Sequence, residues 1–415
     1  MKIKKLNNFF NKLVIKKNKT ISSNRITLSE PNFDNKELFE VLKVFKSTNF
    51  SSGKNVLKFE NQFAKKMGMK YGLATNSGSS ANLLSLLSLK KIYKIKNGSE
   101  VIIPASTFAT VAMPILQAGL IPVYVDVDLD TLNINVNEIK KAITKKTKII
   151  MPVHTLGLPC EMIKISKLAK EKNLIVFEDC CEAHGAKIGN KFVGSFGKIS
   201  AFSFYIAHNM TTIGGGMILT NNKDLYLNAR SMREFGRIKN YKKRYYSDKY
   251  IKDYDVNYIF NSLGYNLRMS EIQAALGLVQ LKKLNKFNYK RIKLANYLEK
   301  KILKLSKYLF TTKKLNKNVI NTYYTFPFLI TNKAKITRRK ICEYLEEKHI
   351  QTRPMMAGCL PDQPAFRNEP GRIVGKLKNS RYIRDKCFFV GIHPKLNYSN
   401  LDYLLNVLSK IKYER

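Results

Sequence analysis

A histidine near a run of glycines is the residue that most directly suggests chemistry in this sequence. His208 lies between two apolar runs, Ile199 to Phe204 and Met217 to Leu219, and glycines occupy positions 214–216. Short apolar runs bounded by polar and glycine residues predict strands, and glycine allows close backbone approach. The stretch therefore predicts a strand, a functional turn and a second strand. An imidazole in such a turn can accept and return a proton near neutral pH.

A second candidate is the small-residue turn in Gly72-Leu-Ala-Thr-Asn-Ser-Gly-Ser-Ser-Ala-Asn-Leu-Leu. This segment predicts a short strand, a turn and a helix. The first amides of that helix, with the hydroxyls of Ser77, Ser79 and Ser80, would bind an anion along the helix dipole. The alternative is a serine that only caps the helix.

Two further candidates follow predicted strands. Phe108 comes after the run Val101 to Ile103, and Asp179 comes after the run Leu174 to Phe177. Binding groups of α/β proteins gather at the carboxyl ends of parallel strands, so both side chains are expected to face one site. The alternatives are a core phenylalanine and a helix-capping aspartate.

These candidates require a parallel sheet to bring them together. Continuous Val/Ile runs alternate with helix-length stretches, which is typical of a mostly parallel sheet covered on both faces. The predicted strands are Val101 to Ile103, Val123 to Val127, Ile149 to Val153, Leu174 to Phe177, Ile199 to Phe204 and Met217 to Leu219.

The flanking segments complete the predicted architecture. Residues 35–69 have a helical pattern with a Ser/Gly break at 46–54, and Ser270 is expected to cap a long helix. The end of the chain predicts strand, helix, strand and helix: Tyr323 to Ile330, Thr337 to Glu347, Cys387 to Ile392 and Leu401 to Ile411. We expect a basic N-terminal extension (1–27), a large α/β domain (28–300) and a small C-terminal α+β domain (301–415).

Composition restricts the class of protein. The 415 residues include 74 Lys+Arg and 30 Asp+Glu, a formal net charge of +44. The basic residues are spread along the whole sequence, which indicates a general lysine bias and not a nucleic-acid-binding patch. We therefore expect no nucleic-acid partner.

Cysteine usage and hydropathy indicate a location. The six cysteines form no CxxC pair and no regular framework, which is typical of a reduced cytoplasmic enzyme. No run of about 18 apolar residues exists, so no membrane span is expected. Residues 1–19 mix apolar residues with seven lysines. They predict either a basic amphipathic helix on a membrane surface or, as the preferred interpretation, a packed helix or a frayed tail.

Several segments together resemble the DegT/DnrJ/EryC1/StrS family, sugar aminotransferases with the fold type I architecture of pyridoxal phosphate (PLP) enzymes. The matching segments are Asn76-Ser-Gly-Ser-Ser-Ala-Asn82, the surroundings of Phe108 and Asp179, the stretch from Ser203 to the glycines, Gly264-Tyr-Asn-Leu-Arg-Met-Ser-Glu, and Thr352-Arg-Pro-Met-Met-Ala-Gly-Cys-Leu. The resemblance covers roughly residues 28 to 412. It implies a mostly parallel central sheet and a smaller C-terminal α+β domain.

The resemblance also implies roles for individual residues. Gly78 and Ser79 match the cofactor-phosphate loop, and Phe108 matches the aromatic residue that stacks on the pyridine ring. Asp179 matches the aspartate that bonds the pyridine nitrogen and lets the ring accept electrons. Glu182 stands where the aminotransferases usually carry glutamine.

The Gly-Tyr-Asn motif implies a shared site. Asn266 matches the asparagine that reaches the cofactor phosphate of the neighbouring subunit, which implies a homodimer. His184 belongs to the family's Ala-His-Gly segment, where a packing or hydrogen-bonding role is expected. His154 is a further family feature near the site.

The lysine that forms the family's Schiff base with PLP is missing. In the family pattern it follows the serine by five residues, and Ser203 plus five is His208; no lysine occurs between Lys198 and Lys223. A histidine here resembles the 3-dehydratases of nucleotide-linked 4-keto-6-deoxyhexoses. These use pyridoxamine phosphate (PMP), and the resemblance implies that His208 is the acid and base for loss of the C3 hydroxyl. It also implies a role in 3,6-dideoxyhexose and O-antigen synthesis.

That branch has two routes for completing the reaction. One subgroup uses an iron-sulfur cluster and a partner reductase; the other hydrolyses the product and regenerates PMP with L-glutamate. In the first, one ligand cysteine matches Cys181 and three more follow the Arg-x-x-Gly-Arg stretch, but this chain has no cysteine between Cys181 and Cys342. The sequence therefore argues against a cluster, and no metal ligands are predicted.

Two departures keep alternatives open. The branch usually carries a second histidine where Asn209 stands and a glutamate where Gly214 stands. The alternatives are a PLP-dependent nucleotide-sugar aminotransferase and a non-catalytic relative of one.

Overall fold

The predicted apolar runs form the centre of a large sheet. The computed structural model describes residues 22–237, 255–305, 307–313 and 318–414. The strands in this part of the chain are β1 (Tyr71–Thr75), β2 (Glu100–Pro104), β3 (Ile121–Val125), β4 (Thr147–Ile150), β5 (Ile175–Asp179), β6 (Lys187–Ile188), β7 (Lys191–Phe192), β8 (Ile199–Ser203), β9 (Gly216–Thr220), β10 (Leu309–Phe310), β11 (Val319–Ile320), β12 (Thr325–Ile330), β13 (Thr352–Pro354), β14 (Arg372–Ile373) and β15 (Cys387–Gly391).

The large sheet has eight strands in the order β1-β9-β8-β5-β4-β2-β3-β14. Only β9 runs against the others, because it pairs antiparallel with both β1 and β8 while the remaining pairs are parallel. Every residue of β2, β8 and β9 is buried, as expected for strands covered on both faces. The mostly parallel sheet predicted from the sequence is confirmed.

Helices connect and cover these strands. They are α1 (Asn35–Ser47), α2 (Lys54–Lys66), α3 (Gly78–Ile92), α4 (Ala109–Gln117), α5 (Val136–Ala142), α6 (Met162–Glu171), α7 (Lys223–Arg233), α8 (Glu271–Leu305), α9 (Arg338–Glu347), α10 (Pro364–Arg367), α11 (Lys378–Lys386) and α12 (Tyr398–Ser409). No described helix is long and apolar enough to cross a lipid bilayer.

The 35-residue helix α8 joins the two parts of the molecule. Ser270 caps it as predicted, since its hydroxyl accepts the amide of Gln273 at 3.3 Å. At the next position, the Glu271 carboxylate accepts the amides of Gly53 and Val56 at 2.9 Å each. The start of α8 therefore holds the start of α2 by charge-assisted bonds.

The smaller part is built on the antiparallel sheet β10-β12-β15-β13. Phe326, Phe328 and Phe388 are fully buried in its core, to which the second half of α8 contributes Leu298. Ile26 is also fully buried there, and its amide donates to the carbonyl of His349. Residues 22–27 of the predicted extension therefore pack on the small α+β part, and residues 1–21 lie outside the described part of the chain.

The predicted elements occur with small changes of boundary. The Ser/Gly break separates α1 from α2, and the four C-terminal elements form as β12, α9, β15 and α12. The run predicted to end at Val127 leaves the sheet after Val125, because Val127 forms an isolated bridge with Ile134. The segment 233–258 is described only at its two ends, because residues 238–254 lie outside the described part.

Candidate active site

A cavity of about 460 Å³ opens at the carboxyl ends of the parallel strands. It is bounded by the start of α3, the end of β5, the turn after β8 and the segment before β12. Seven predicted site residues line it: Gly78, Ser79, Phe108, Asp179, Glu182, Ser203 and His208. The carboxyl ends of the parallel strands thus bring residues that are up to 130 positions apart (78 to 208) into one site.

The start of α3 forms one wall. Ser77 is its N-cap, and its hydroxyl oxygen accepts the amide of Ser80 at 3.1 Å. A Cβ atom on Gly78 would lie 2.5 Å from the Cβ of Ser203, so only glycine permits this contact between α3 and the end of β8. The first-turn amides of a helix lack intrahelical acceptors, so this wall can bind an anion. The serine cap and the predicted anion site are thus compatible.

Asp179 is buried at the end of β5, with 3% of its surface exposed. Its carboxylate accepts Nδ2 of Asn82 at 2.9 Å and the amide of Cys181 at 3.0 Å. Turns follow the strand where a capped helix would begin, so the helix-capping alternative is wrong. Asp179 lines the cavity and makes no ion pair with any described residue.

Phe108 forms a wall of the cavity and is not a core residue. It immediately precedes α4, and 55% of its surface is exposed. Its exposure contradicts the core alternative. A ring that remains this accessible beside a cavity offers a face to a planar ligand.

Glu182 is a carboxyl group enclosed by the site. Its Oε2 accepts the amide of Leu156 at 2.7 Å, and Leu156 adopts a positive φ of 52° that is unusual for a branched side chain. Burial raises the pKa of Glu182 to about 8, and the nearby charge of Asp179 acts in the same direction. Glu182 therefore carries a proton at neutral pH in the protein without ligand.

His208 lies in the turn after β8, where its amide donates to the carbonyl of Tyr205 at 3.0 Å. Its ring packs 5.1 Å from the ring of Tyr324 and 6.0 Å from that of His184, measured between centroids. Burial, followed by the neighbouring His184 and then the positive charge of Arg291, holds the pKa of His208 well below its usual value. The imidazole is therefore neutral at pH 7 and ready to accept a proton.

The other two histidines near the site are structural. His154 is fully buried; its Nδ1 accepts the amide of Cys160, and its Nε2 lies 3.1 Å from Glu178 Oε2. His184 packs among aromatic rings, 5.4 Å from Phe202, which agrees with its predicted packing role. Neither residue lines the cavity.

His154, Glu178 and Cys180 form the one described group whose ligand atoms lie within metal-binding distance of one another. Both Glu178 oxygens already accept hydrogen bonds, from the amides of 194, 196 and 197. This carboxylate thus holds the 194–197 turn, a structural role.

Asn266 does not reach the cavity of its own chain. It is exposed, and its Oδ1 accepts Nε of Arg268 at 3.2 Å. Its segment nevertheless lies beside the α3 wall, because the amide of Asn76 donates to the carbonyl of Leu267 at 2.9 Å.

The structure adds residues that the sequence reasoning did not single out. Asn82 orients Asp179, and Tyr205, Tyr324 and Met356 line the cavity. A signal existed for Asn82, since it lies four residues after Gly78 and therefore on the same face of α3. Met356 and the tyrosines had no comparable signal.

The two departures from the family pattern have distinct structural settings. Asn209 is buried, and its Nδ2 donates to the carbonyl of Thr322 at 3.1 Å and to Asn288 Oδ1 at 3.3 Å. Gly214 lines the cavity, and a Cβ there would meet nothing closer than 3.8 Å. Asn209 is thus part of the packing between the turn after β8, α8 and the segment before β12, whereas position 214 has room for a side chain.

The raised pKa of Glu182 predicts a pH-dependent stability. In protein without cofactor, the folded state keeps a proton that the unfolded chain releases near 4.5. Stability from this group is therefore complete below pH 4.5 and is lost as the pH rises toward 8, by about 1.4 kcal/mol per pH unit. Thermal unfolding at pH 5, 7 and 9 should show wild type losing stability relative to Glu182→Gln, which keeps the acceptor for Leu156. Parallel melting temperatures at all three values would contradict this assignment.

Comparison with known proteins places the chain in a family. The sequence model of the DegT/DnrJ/EryC1/StrS aminotransferase family matches residues 31–409. The lipopolysaccharide biosynthesis protein RfbH of Salmonella typhimurium is 36% identical over 362 residues, 84% of this chain and 83% of that protein. The GDP-4-keto-6-deoxy-D-mannose 3-dehydratase of Escherichia coli O55:H7 is 32% identical over 386 residues, 92% of this chain and 98% of that protein.

A solved structure agrees with these relatives. The crystal structure of GDP-4-keto-6-deoxymannose-3-dehydratase with a trapped PLP-glutamate geminal diamine matches with a TM-score of 0.86 and 31% identity, covering 92% of this chain and 100% of that one. The fold type I architecture predicted from the sequence is confirmed. This chain belongs to the DegT/DnrJ/EryC1/StrS aminotransferase family.

Proposed function

We propose that this protein removes the C3 hydroxyl of a nucleotide-linked 4-keto-6-deoxyhexose, with PMP as its cofactor, in 3,6-dideoxyhexose and O-antigen biosynthesis. One observation carries the proposal: a neutral histidine, His208, borders the cavity, and no lysine is among the described residues that line it. An aminotransferase of this fold needs a lysine there to hold PLP covalently. The dehydratase names of the relatives support this choice.

The residues of the cavity fit PMP or PLP. The α3 wall supplies amides and serine hydroxyls for a phosphate, and Gly78 lets this wall approach Ser203 at the end of β8. Asp179, buried without a cationic partner among the described residues, suits a protonated pyridine nitrogen. The accessible ring of Phe108 suits the face of a pyridine. Ser203 and Glu182 complete the enclosure.

When bound, the cofactor supplies an amine for the 4-keto group and an electron-accepting ring. Asp179, oriented by Asn82, keeps a proton on the pyridine nitrogen. His208 accepts a proton at Nε2 and returns it to the departing C3 hydroxyl, which leaves as water. Glu182 is a hydrogen-bond donor in its protonated form, held in place by the amide of Leu156.

L-glutamate is proposed as the co-reactant. Deoxygenation at C3 consumes two electrons, which the oxidation of glutamate to 2-oxoglutarate supplies, and the amino group leaves as ammonia. The net change is keto sugar plus glutamate giving 3-deoxy keto sugar, 2-oxoglutarate and ammonia. The PLP-glutamate adduct trapped in the related dehydratase supports this route. All six cysteines are unpaired, which supports the proposed cytoplasmic location. The iron-sulfur route lacks its expected ligands, because the sequence has no cysteine between Cys181 and Cys342.

A homodimer with shared sites is also proposed. Five exposed side chains form an aromatic surface beside the α3 wall: Phe235, Tyr258, Phe260, Leu263 and Tyr265. Leu263 is 94% exposed, and Arg237 stacks over three of the rings. Contiguous apolar surface of this kind marks an interface. Because Asn266 lies in the same segment, a second copy seated here would bring its Asn266 toward this cavity.

The reaction can be tested by mass spectrometry of the product. Purified protein with PMP, L-glutamate and a GDP-, CDP- or dTDP-linked 4-keto-6-deoxyhexose, without reductase, is expected to yield a 3-deoxy keto sugar. His208→Asn should lower the rate by about 10²–10⁴-fold, since it removes the acid and base. A 4-amino sugar that retains its C3 hydroxyl would make the protein an aminotransferase instead. Undiminished dehydration by His208→Asn would refute the role of the histidine.

Cofactor binding should depend on Gly78 and not on Gly214. In Gly78→Ala the new Cβ would overlap Ser203, and displacement of the α3 wall should weaken PLP binding by about 10–100-fold. Gly214→Ala is the matched control, because its Cβ meets only ordinary contacts. Absorbance titration with PLP measures both. Equal affinities of the two variants would show that the α3 wall does not hold the phosphate.

Mixed dimers test the shared site. A His208→Asn chain supplies a normal Asn266, and an Asn266→Ala chain supplies a normal His208. If Asn266 acts on the partner's site, co-expressed mixed dimers isolated by two tags should regain one fully active site of two, while each parent homodimer is impaired. No recovery in the mixed dimer would place Asn266 in its own chain's site, and a monomer in light scattering would refute the dimer.

A further inference from the structure

A second, much smaller cavity lies behind His208. It is lined by residues 29–32, residues 206–209, Thr211, and Gln280, Phe287 and Arg291 from α8, and it is partly open to solvent. Its volume of about 10 Å³ has room for a single water molecule. His208 is the only residue that borders both this cavity and the main one among the described lining residues. His208 therefore lies between the small cavity and the main one.

Three residues that line the small cavity carry buried polar atoms without a hydrogen-bond partner in the protein. These atoms are Nδ1 of His208, Oδ1 of Asn209 and Nε of Arg291, and all three residues line the small cavity. Leaving such atoms without a hydrogen-bond partner destabilises the folded state. Buried polar groups in native proteins are paired with protein or with ordered water, so three of them around one water-sized space indicate a ligand.

The other atoms of the two supporting residues are fixed. Asn209 uses Nδ2 on Thr322 and Asn288, and its Oδ1 has no hydrogen bond of good geometry, although the His184 ring lies next to this residue. Arg291 is 4% exposed, and its Nη1 donates to the carbonyls of Tyr323, Tyr324 and Ile392. It makes no ion pair with a described residue. Neither side chain can turn to satisfy its remaining atom without breaking these bonds.

We propose that Arg291 and Asn209 are positioning residues that hold one water molecule behind His208 and thereby select its tautomer. The water accepts from Arg291 Nε–H and from His208 Nδ1–H, and it donates to Asn209 Oδ1. The proton of the neutral ring is then on Nδ1, and Nε2 keeps its lone pair toward the main cavity. The water alone would also fit the Nε2–H tautomer. The choice of the Nδ1–H tautomer rests on the proposed function, which needs a base at Nε2.

The surroundings of His208 keep its ring neutral, so the property that decides its chemistry is the tautomer and not the charge. The titratable groups in contact with His208 or its small cavity are His184, Tyr205, Tyr324, Arg291 and the carboxyl of Glu30. Burial lowers the pKa of His184 to about 3, so it is neutral, and burial raises the pKa of Tyr324 above its usual value. Arg291 is thus the single cation in this group, and it opposes a second one. A ring that stays neutral can act as a base only if the correct nitrogen is free.

The experiment is NMR of ¹⁵N-histidine-labelled protein without cofactor, which separates the two neutral tautomers by their nitrogen shifts. The chain has five histidines, and His154, whose Nδ1 accepts the amide of Cys160, supplies an Nε2–H reference. Wild type should show His208 with Nδ1–H and a cross-relaxation peak from that proton to bound water. Arg291→Lys keeps the charge but removes Nε–H, and Asn209→Leu removes the acceptor. Both should shift His208 toward the other tautomer and slow dehydration by about tenfold.

The matched control is Gln280→Met. Gln280 lines the same cavity, but its amide donates to Asn32 and Glu37, so the tautomer should not change. An Nε2–H tautomer in wild type, or an unchanged tautomer in both Arg291→Lys and Asn209→Leu, overturns the proposal, and the wild-type spectrum decides even if a variant fails to fold. An Nδ1–H tautomer in a protein that forms no 3-deoxy product would instead refute the proposed function and keep the water site.

Discussion

The contact between the start of α3 and the end of β8 is the constraint on which the site depends. Gly78 lies against Ser203 so closely that no other residue fits, and the first-turn amides of α3 and the turn with His208 are thereby fixed relative to each other. The bond from Asn82 to Asp179 adds β5 to the same arrangement. Three separate chain segments thus share one rigid corner.

Burial then sets the chemistry of the groups in that corner. The same low-dielectric surroundings act in opposite directions on an acid and a base, because they disfavour whichever form is charged. The carboxyl of Glu182 is therefore protonated, and the imidazole of His208 is neutral. A neutral acid, Glu182, and a neutral base, His208, at one cavity allow proton transfer in both directions. In an aminotransferase of this fold, the lysine that holds the cofactor also transfers protons.

Much of the fold could be predicted because its signals are local. Continuous apolar runs predicted the strands within three residues. The family resemblance, together with the position of Phe108 and Asp179 after predicted strands, named eight site residues, and seven of them line the cavity. Two structural additions had no local signal: β14 joins the edge of the large sheet from the C-terminal part, and Ile26 enters the core of the small one. Both contacts join segments that are hundreds of residues apart in the sequence, so a local sequence pattern cannot predict them.

The sequence by itself determined the family, the order of elements and the replacement of the lysine by His208, because each is a matter of residue identity at a given spacing. Tertiary structure alone decided what surrounds that histidine. Arg291 comes from α8, Tyr324 from the segment before β12, and the wall at 29–32 from the start of the chain. Protonation state and tautomer depend on burial and on neighbours distant in sequence, so they appear only once the chain has folded.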